Sequence, residues 1–133
     1  MREERDAIKT IEGWRDPRRV REYLREGPDH SGRFLFNVGN GCPQRKVARL
    51  FFVFHGRILG WFAVAGIEKR TAELSLEYAR QYSPPYFKAA KFLFICARPF
   101  HFIRERVFYE GFRGWRYFDF ETYRNSLDAK VRI

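Results

Sequence analysis

Cysteine, methionine and histidine are all scarce in this chain. Of its 133 residues, two are cysteine, one is methionine and three are histidine. Cys42 and Cys96 are too few for a disulfide framework or a zinc site. The expectation is two reduced thiols in a cytoplasmic protein, with a single bridge between them as the alternative. His30, His55 and His101 show no H-x-x-x-H spacing and no finger pattern with cysteine, so no metal and no cofactor is expected. Long apolar runs are also missing. The longest, "ILGWFAVAGI", is about half of what a membrane helix needs, so no membrane partner is expected. The start "MREERD" is charged and leads into no apolar stretch, which predicts no secretory leader. The loop "GNGCPQRK" lacks the Gly-Lys-Ser/Thr ending of a phosphate-binding P-loop. A reactive thiol at Cys42 would need a depressed pKa and a nearby base, which sequence does not show, so no nucleophile and no catalytic residue is assigned.

Acidic residues are few beside basic ones, 16 against 26, and the net charge is +10. Twenty of the basic residues are arginine. Arginine carries a rigid fork matched to phosphate and stacks on flat rings. The excess is unevenly placed. Residues 1–32 hold eight basic and eight acidic side chains, whereas residues 33–133 hold eighteen and eight. A positive excess confined to one part of a chain favours polyanionic partners. Aromatics are abundant, with fifteen Phe, seven Tyr and three Trp. A single domain of 133 residues can bury about two-thirds of its unfolded surface, and these rings supply the filling.

Hydrophobic spacing divides the chain into a helical cover over 1–32, a barrel over 33–118 and a terminal helix over 119–133. Ala7, Ile8 and Ile11 would share one face of a first helix over Glu3 to Ile11. A second helix follows, with Asp16 as cap, Pro17 in the first helical position and Gly27-Pro28 as the stop. Its charged faces read as solvated surface. "RFLFNV" is a strand. "VARLFFVFHGRILGWFAVAGI" is a hairpin about a two-residue His55-Gly56 turn. That turn sets Phe54 against Arg57, Val53 against Ile58, Phe52 against Leu59, Phe51 against Gly60 and Leu50 against Trp61. Both faces of the hairpin are apolar, so it must be covered twice. Gly60 marks a bend or a close approach. Residues 68–88 fit either a short helix capped by Thr71 or a strand carrying Leu74, Leu76 and Tyr78. "KFLFICA" is a further buried strand. In "YEGFRGWRYFDF", period two sets Tyr109, Arg113, Trp115 and Tyr117 on one face and Phe112, Phe118 and Phe120 on the other. Arg116 is the misfit on that second face: either Gly114 marks a bulge that returns it to the surface, or it is partly buried against Glu110 or another carboxylate. The resulting class is α+β: a small pseudo-barrel of five or six mostly antiparallel strands, two N-terminal helices and a short C-terminal one.

The hairpin, with Phe54, His55, Gly56, Ile58 and Gly60 at its turn, resembles the central hairpin of PUA-like domains, the EVE and ASCH families in particular. The tail "GFRGWRYF" is similar to the closing segment of some of these proteins. Together the similar segments span 33–67 and 92–118. The resemblance implies a compact pseudo-barrel that binds RNA or reads modified bases, or a small hydrolase of modified nucleosides. The ASCH signature Gly-x-Lys-x-x-Glu-x-Arg has a partial echo in Lys9, Glu12 and Arg15, with Ala7 in place of the glycine and the arginine one residue late.

These readings combine into one expectation, a nucleic-acid-binding module for RNA or for single-stranded or modified DNA. Asn37, Asn40, Trp61, Trp115 and Tyr117 are the expected base pocket, since Asn can read a base edge and rings can sandwich it. Arg45, Lys46, Arg57, Arg113 and Arg116 are the expected phosphate contacts. Two alternatives stand beside it. One is an ASCH-like hydrolase using Lys9, Glu12 or Glu68. The other is a protein-interaction or dimerisation module whose aromatic face meets a partner.

Overall fold

The computed structural model describes residues 5–11, 15–26, 33–39, 41–44, 46–81 and 90–131. One six-stranded sheet runs through it: β1 (Arg5–Thr10), β2 (Arg33–Gly39), β3 (Val47–Phe54), β4 (Arg57–Lys69), β5 (Phe92–Phe102) and β6 (Trp115–Phe118). The spatial order is β2-β5-β4-β3-β1-β6. The pair β1–β3 is parallel and the others are antiparallel. Four short helices complete the described part: α1 (Pro17–Glu26), α2 (Ala72–Gln81), α3 (Phe120–Arg124) and α4 (Leu127–Lys130).

The sheet curls into a half-barrel. Three strands separate β5 from β6 in the sheet, yet the rings of Phe94 and Trp115 meet edge to face at 5.6 Å. The concave face therefore carries the larger core, in which Phe34, Phe36, Phe52, Phe62, Phe94 and Phe100 interlock. Helix α1 closes over it with Val20 and Leu24. The convex face is covered in two patches. Val107, Phe120 and Ala129 from the C-terminal segment lie over Ile8, Phe51, Val53 and Ile58. Leu74 and Tyr78 of α2 lie over Leu35, Leu93 and Ile95. The double cover required by the hairpin is thus met by α1 inside the curl and by the C-terminal segment outside it, while α2 covers β2 and β5.

The expected first helix is a strand. Ala7 and Ile8 are both fully buried, one toward each face of the sheet. A helix would set them on a common side; a central strand needs both to be apolar. Pairing with β3 on one edge and β6 on the other overrides the helical spacing of the local sequence. The second expected helix forms as α1, with the Asp16 carboxylate accepting from the Arg18 N–H at 2.9 Å. Its Gly27-Pro28 stop lies outside the described residues. The terminal helix is two short ones. Asp119 caps α3 by accepting from Thr122 N–H, and Ser126 caps α4.

The ambiguous segment is helical. Thr71 caps α2 by accepting from the Leu74 N–H, and the chain buries Leu74 and Tyr78, one turn apart. Leu76 is 62% exposed, which a strand face shared by all three would not allow. Burial pushes the Tyr78 phenol up to about 12.

The β3–β4 turn is tight, with φ +49° at His55 and +76° at Gly56. Positive φ at both central residues is the type I′ geometry that matches strand twist. Phe54 pairs with Arg57 and Val53 with Ile58, as expected. Beyond them Leu59 is an extra residue, so Phe52 pairs with Gly60, Phe51 with Trp61 and Leu50 with Phe62. The bulge moves the outer pairs by one position and lets apolar residues on both strands keep to matching faces.

Candidate nucleic-acid interface

One row of paired positions crosses the concave face: Trp115 on β6, Lys9 on β1, Phe52 on β3, Gly60 on β4 and Phe102 on β5. At Gly60 a Cβ would lie 2.1 Å from the His101 carbonyl oxygen and 2.7 Å from the Phe100 ring. Only a residue without a side chain lets the strands meet this closely where the sheet bends. At one end of the row Trp115 is half-buried against Phe94, and Tyr117 meets it edge to face at 5.0 Å. Tyr117 is 37% exposed, so part of its ring surface faces solvent. At the other end two guanidinium groups from one side of α1, Arg21 and Arg25, lie 5.6 and 5.7 Å from the centre of the Phe102 ring.

The arginines fall into two electrostatic classes. Arg33 donates twice to Glu77 of α2, at 2.7 and 2.6 Å. Arg49 donates twice to Asp6, at 2.9 and 2.7 Å, with Glu121 further off. These hydrogen bonds raise both guanidinium pKa values. Arg124 lies between Glu105 and Glu121. Such pairs neutralise charge on the convex side. Arg21, Arg25, Arg57, Arg98 and Arg106 have no carboxylate partner among the described residues. Arg57 opens β4 beside the hairpin turn, and its Nε is buried with no acceptor. Its pKa is lowered by burial first, then by the charges of Arg21 and Arg106. Arg98 lies with its guanidinium 5.6 Å from the centre of the Phe34 ring, and its Nε and Nη2 are buried with no acceptor.

The expected base pocket divides between faces. Trp115 and Tyr117 share the concave side. Trp61 lies on the convex side, where His101 stacks on its ring at 4.0 Å and Arg49 sits 5.3 Å from its centre. Asn37 is also convex. Its amide donates to the Tyr78 hydroxyl and its carbonyl accepts from Ala90 N–H, tying β2 to α2 and to the entry of β5. Asn40 lies outside the described residues.

Of the expected phosphate contacts, Arg57 stands at the hairpin end of the concave face. Arg113 is exposed just before Gly114, whose φ of +74° turns the chain into β6. Arg116 is at the surface rather than buried against a carboxylate, and β6 pairs with β1 without a register shift. It is exposed, with its guanidinium 4.0 Å above the Phe112 ring. Lys46 is exposed just before β3, at the opposite end of that strand from the hairpin turn. Arg45 lies outside the described residues. Among the hydrolase candidates, Lys9 is half-buried in the concave row, Glu68 is exposed at the far end of β4, and Glu12 lies outside the described residues.

Arg21, Arg25 and His101 were not singled out from the sequence. The first two read as solvated helix surface, and only the fold sets them over Phe102. Arg98 carried a signal, a lone charge inside the apolar run "CARPFHF".

A cleft of about 700 Å³ opens on the convex side, lined by Tyr109, Glu110, Arg116, Tyr123 and Asp128 among others. Its mixed charge does not suit a polyanion. The Tyr123 hydroxyl there donates to the Phe108 carbonyl. Cys42 is exposed, and Cys96 is buried in the concave core with its thiol pKa pushed up by burial; neither is bridged. Among the described residues no group of three His, Cys, Asp or Glu could hold a metal ion, and no helix is long and apolar enough to cross a membrane. No protein-family model, curated protein or solved structure matches this chain.

Proposed function

We propose that the chain is a PUA-like nucleic-acid-binding module for RNA or for single-stranded or modified DNA. The observation that carries this reading is the concave row. Aromatic surface at Trp115 and Tyr117 lies at one end, and arginines without carboxylate partners among the described residues gather over Phe102 at the other. Single strands are held by this pairing of chemistries: cations track the backbone while exposed rings stack on bases. The base-contacting side is then Trp115 and Tyr117, flanked by Arg113, and the backbone runs toward Arg57 and α1. Asn37, engaged with Tyr78 and Ala90, serves the fold in this arrangement, and Trp61 serves the convex side.

Fluorescence anisotropy with a labelled 20-nucleotide single strand, RNA or DNA, tests the reading. A strand neutralised at about five phosphates binds about a hundredfold more weakly at 200 mM salt than at 50 mM. Tyr117→Ala weakens binding about tenfold, the effect of losing one stacked base. Absence of binding at 50 mM salt to RNA, single-stranded DNA and modified DNA refutes the reading.

A further inference from the structure

We propose that Arg21, Arg57 and Arg106 together form a seat for one backbone phosphate at the hairpin end of the half-barrel, an inference that rests on the nucleic-acid-binding reading above. The three side chains come from three separate elements around the hairpin end of the sheet. Arg57 is fixed by the type I′ turn and by its pairing with Phe54. The segment carrying Arg106 is held alongside the hairpin by a bridge between Arg57 and Phe108. The Ile58 N–H donates to the Val107 carbonyl at 2.8 Å, and the Tyr109 N–H to the Gly56 carbonyl at 3.0 Å. Arg21 is set by α1, whose Val20 and Leu24 are locked into the concave core.

The local charge balance favours an anion here. Arg21 and Arg106 act on Arg57 as like charges, and no carboxylate pairs with any of the three among the described residues. Glu105, the neighbour of Arg106 in sequence, is turned to Arg124 at 3.7 Å. The Nε of Arg57 is removed from water and donates to nothing. A buried donor without an acceptor and a cluster of like charges are each unfavourable. An oxyanion relieves both at once, because its oxygens accept from the guanidinium fork while its charge offsets the cluster. A phosphodiester supplies such an oxyanion at each step of a nucleic-acid strand.

The test uses the full chain and the 20-nucleotide single strand. Arg57→Met, Arg21→Met and Arg106→Met are compared with Arg80→Met, which removes one charge from α2 on the convex side. Circular dichroism first verifies that each variant folds. Because Arg21 is half-buried and Arg106 exposed, those two variants carry the test should Arg57→Met fail to fold. The expected result is binding weakened about tenfold by each seat variant, the effect of losing one charged hydrogen bond. The slope of log affinity against log salt falls by about 0.7, one phosphate's worth. Arg80→Met changes affinity less than about twofold. In a second arm, inorganic phosphate raises the melting temperature of the wild type and raises that of Arg57→Met by less. If the wild type binds but the three seat variants match Arg80→Met in affinity and slope, the seat is refuted and the nucleic-acid reading stands. If the wild type binds no strand, that reading falls and takes the backbone-phosphate seat with it.

Discussion

Arg98 offers a direct measure of how much stability this fold gives up to hold unpaired positive charge. Two of its guanidinium nitrogens, Nε and Nη2, are sealed from solvent without an acceptor. A buried donor left unsatisfied costs about 1–3 kcal/mol. Taken at the low end, two such donors on one delocalised group cost about 2 kcal/mol. Its position over the Phe34 ring, 5.6 Å from the centre, returns about 0.5–1 kcal/mol. The net cost against an apolar side chain of similar length is about 1 kcal/mol. Methionine fills that space, keeps contact with the Phe34 ring and carries no donor. Arg98→Met should therefore stabilise the ligand-free protein by about 1 kcal/mol, a rise in melting temperature of about 2–5 °C for a domain of this size. The assay is thermal denaturation followed by circular dichroism in a chloride buffer free of phosphate and sulfate. Arg98→Lys, which keeps the charge, should not give the same gain. A fall in melting temperature of more than about 2 °C in Arg98→Met would mean that the guanidinium is satisfied in solution, and the reasoning would fail.

Gly60→Ala should destabilise the fold by about 2–3 kcal/mol in urea unfolding, because the added carbon meets the His101 backbone at 2.1 Å and strand β5 has nowhere to retreat. Under native conditions a thiol reagent should modify Cys42 rapidly and reach Cys96 only after denaturant is added, since Cys96 is fully buried and burial disfavours its thiolate. Asp119 has its pKa lowered first by the Thr122 backbone N–H, then by the Thr122 side chain, with smaller help from Arg5 and Arg49. Its contribution is full above the ordinary aspartate value of about 4 and is lost as the pH falls through the depressed folded value. The stability gap between wild type and Asp119→Ala should therefore be constant at neutral pH and narrow on acidification; a gap that widens would contradict the cap.

Much of the fold was legible where local chemistry and tertiary packing agree. The His55-Gly56 turn, the Asp16-Pro17 start of α1 and the apolar hairpin all follow from residue type. Strand β1 was not legible, because "RDAIKT" has charged residues around two apolar ones, and only docking between β3 and β6 makes burial on both faces necessary. The bulge at Leu59 was invisible for a related reason. An unbulged hairpin and one slipped by a residue both set apolar side chains against apolar ones. The candidate site was partly legible. Period two separated Trp115 and Tyr117 from Phe118, and that division holds in β6. Spacing along one strand cannot reveal which distant arginines lack carboxylates. Arg33 and Arg49 are neutralised by Glu77 and Asp6, 44 and 43 residues away, and no local pattern distinguishes them from Arg57.

The place of β1 in the sheet also orders events in time. It is made first, yet its two neighbours are residues 47–54 and 115–118. A chain emerging from synthesis carries this strand without a partner until β3 arrives, and without its second partner until residues 115–118 are out. Pairings this distant are slow to form, because the loop must close before contacts reward it. Trp115 and Tyr117 reach the concave side only when β6 docks on β1. The aromatic end of the concave row is consequently among the last parts to assemble, and a chain truncated before residue 115 would keep the hairpin and its arginines while lacking it.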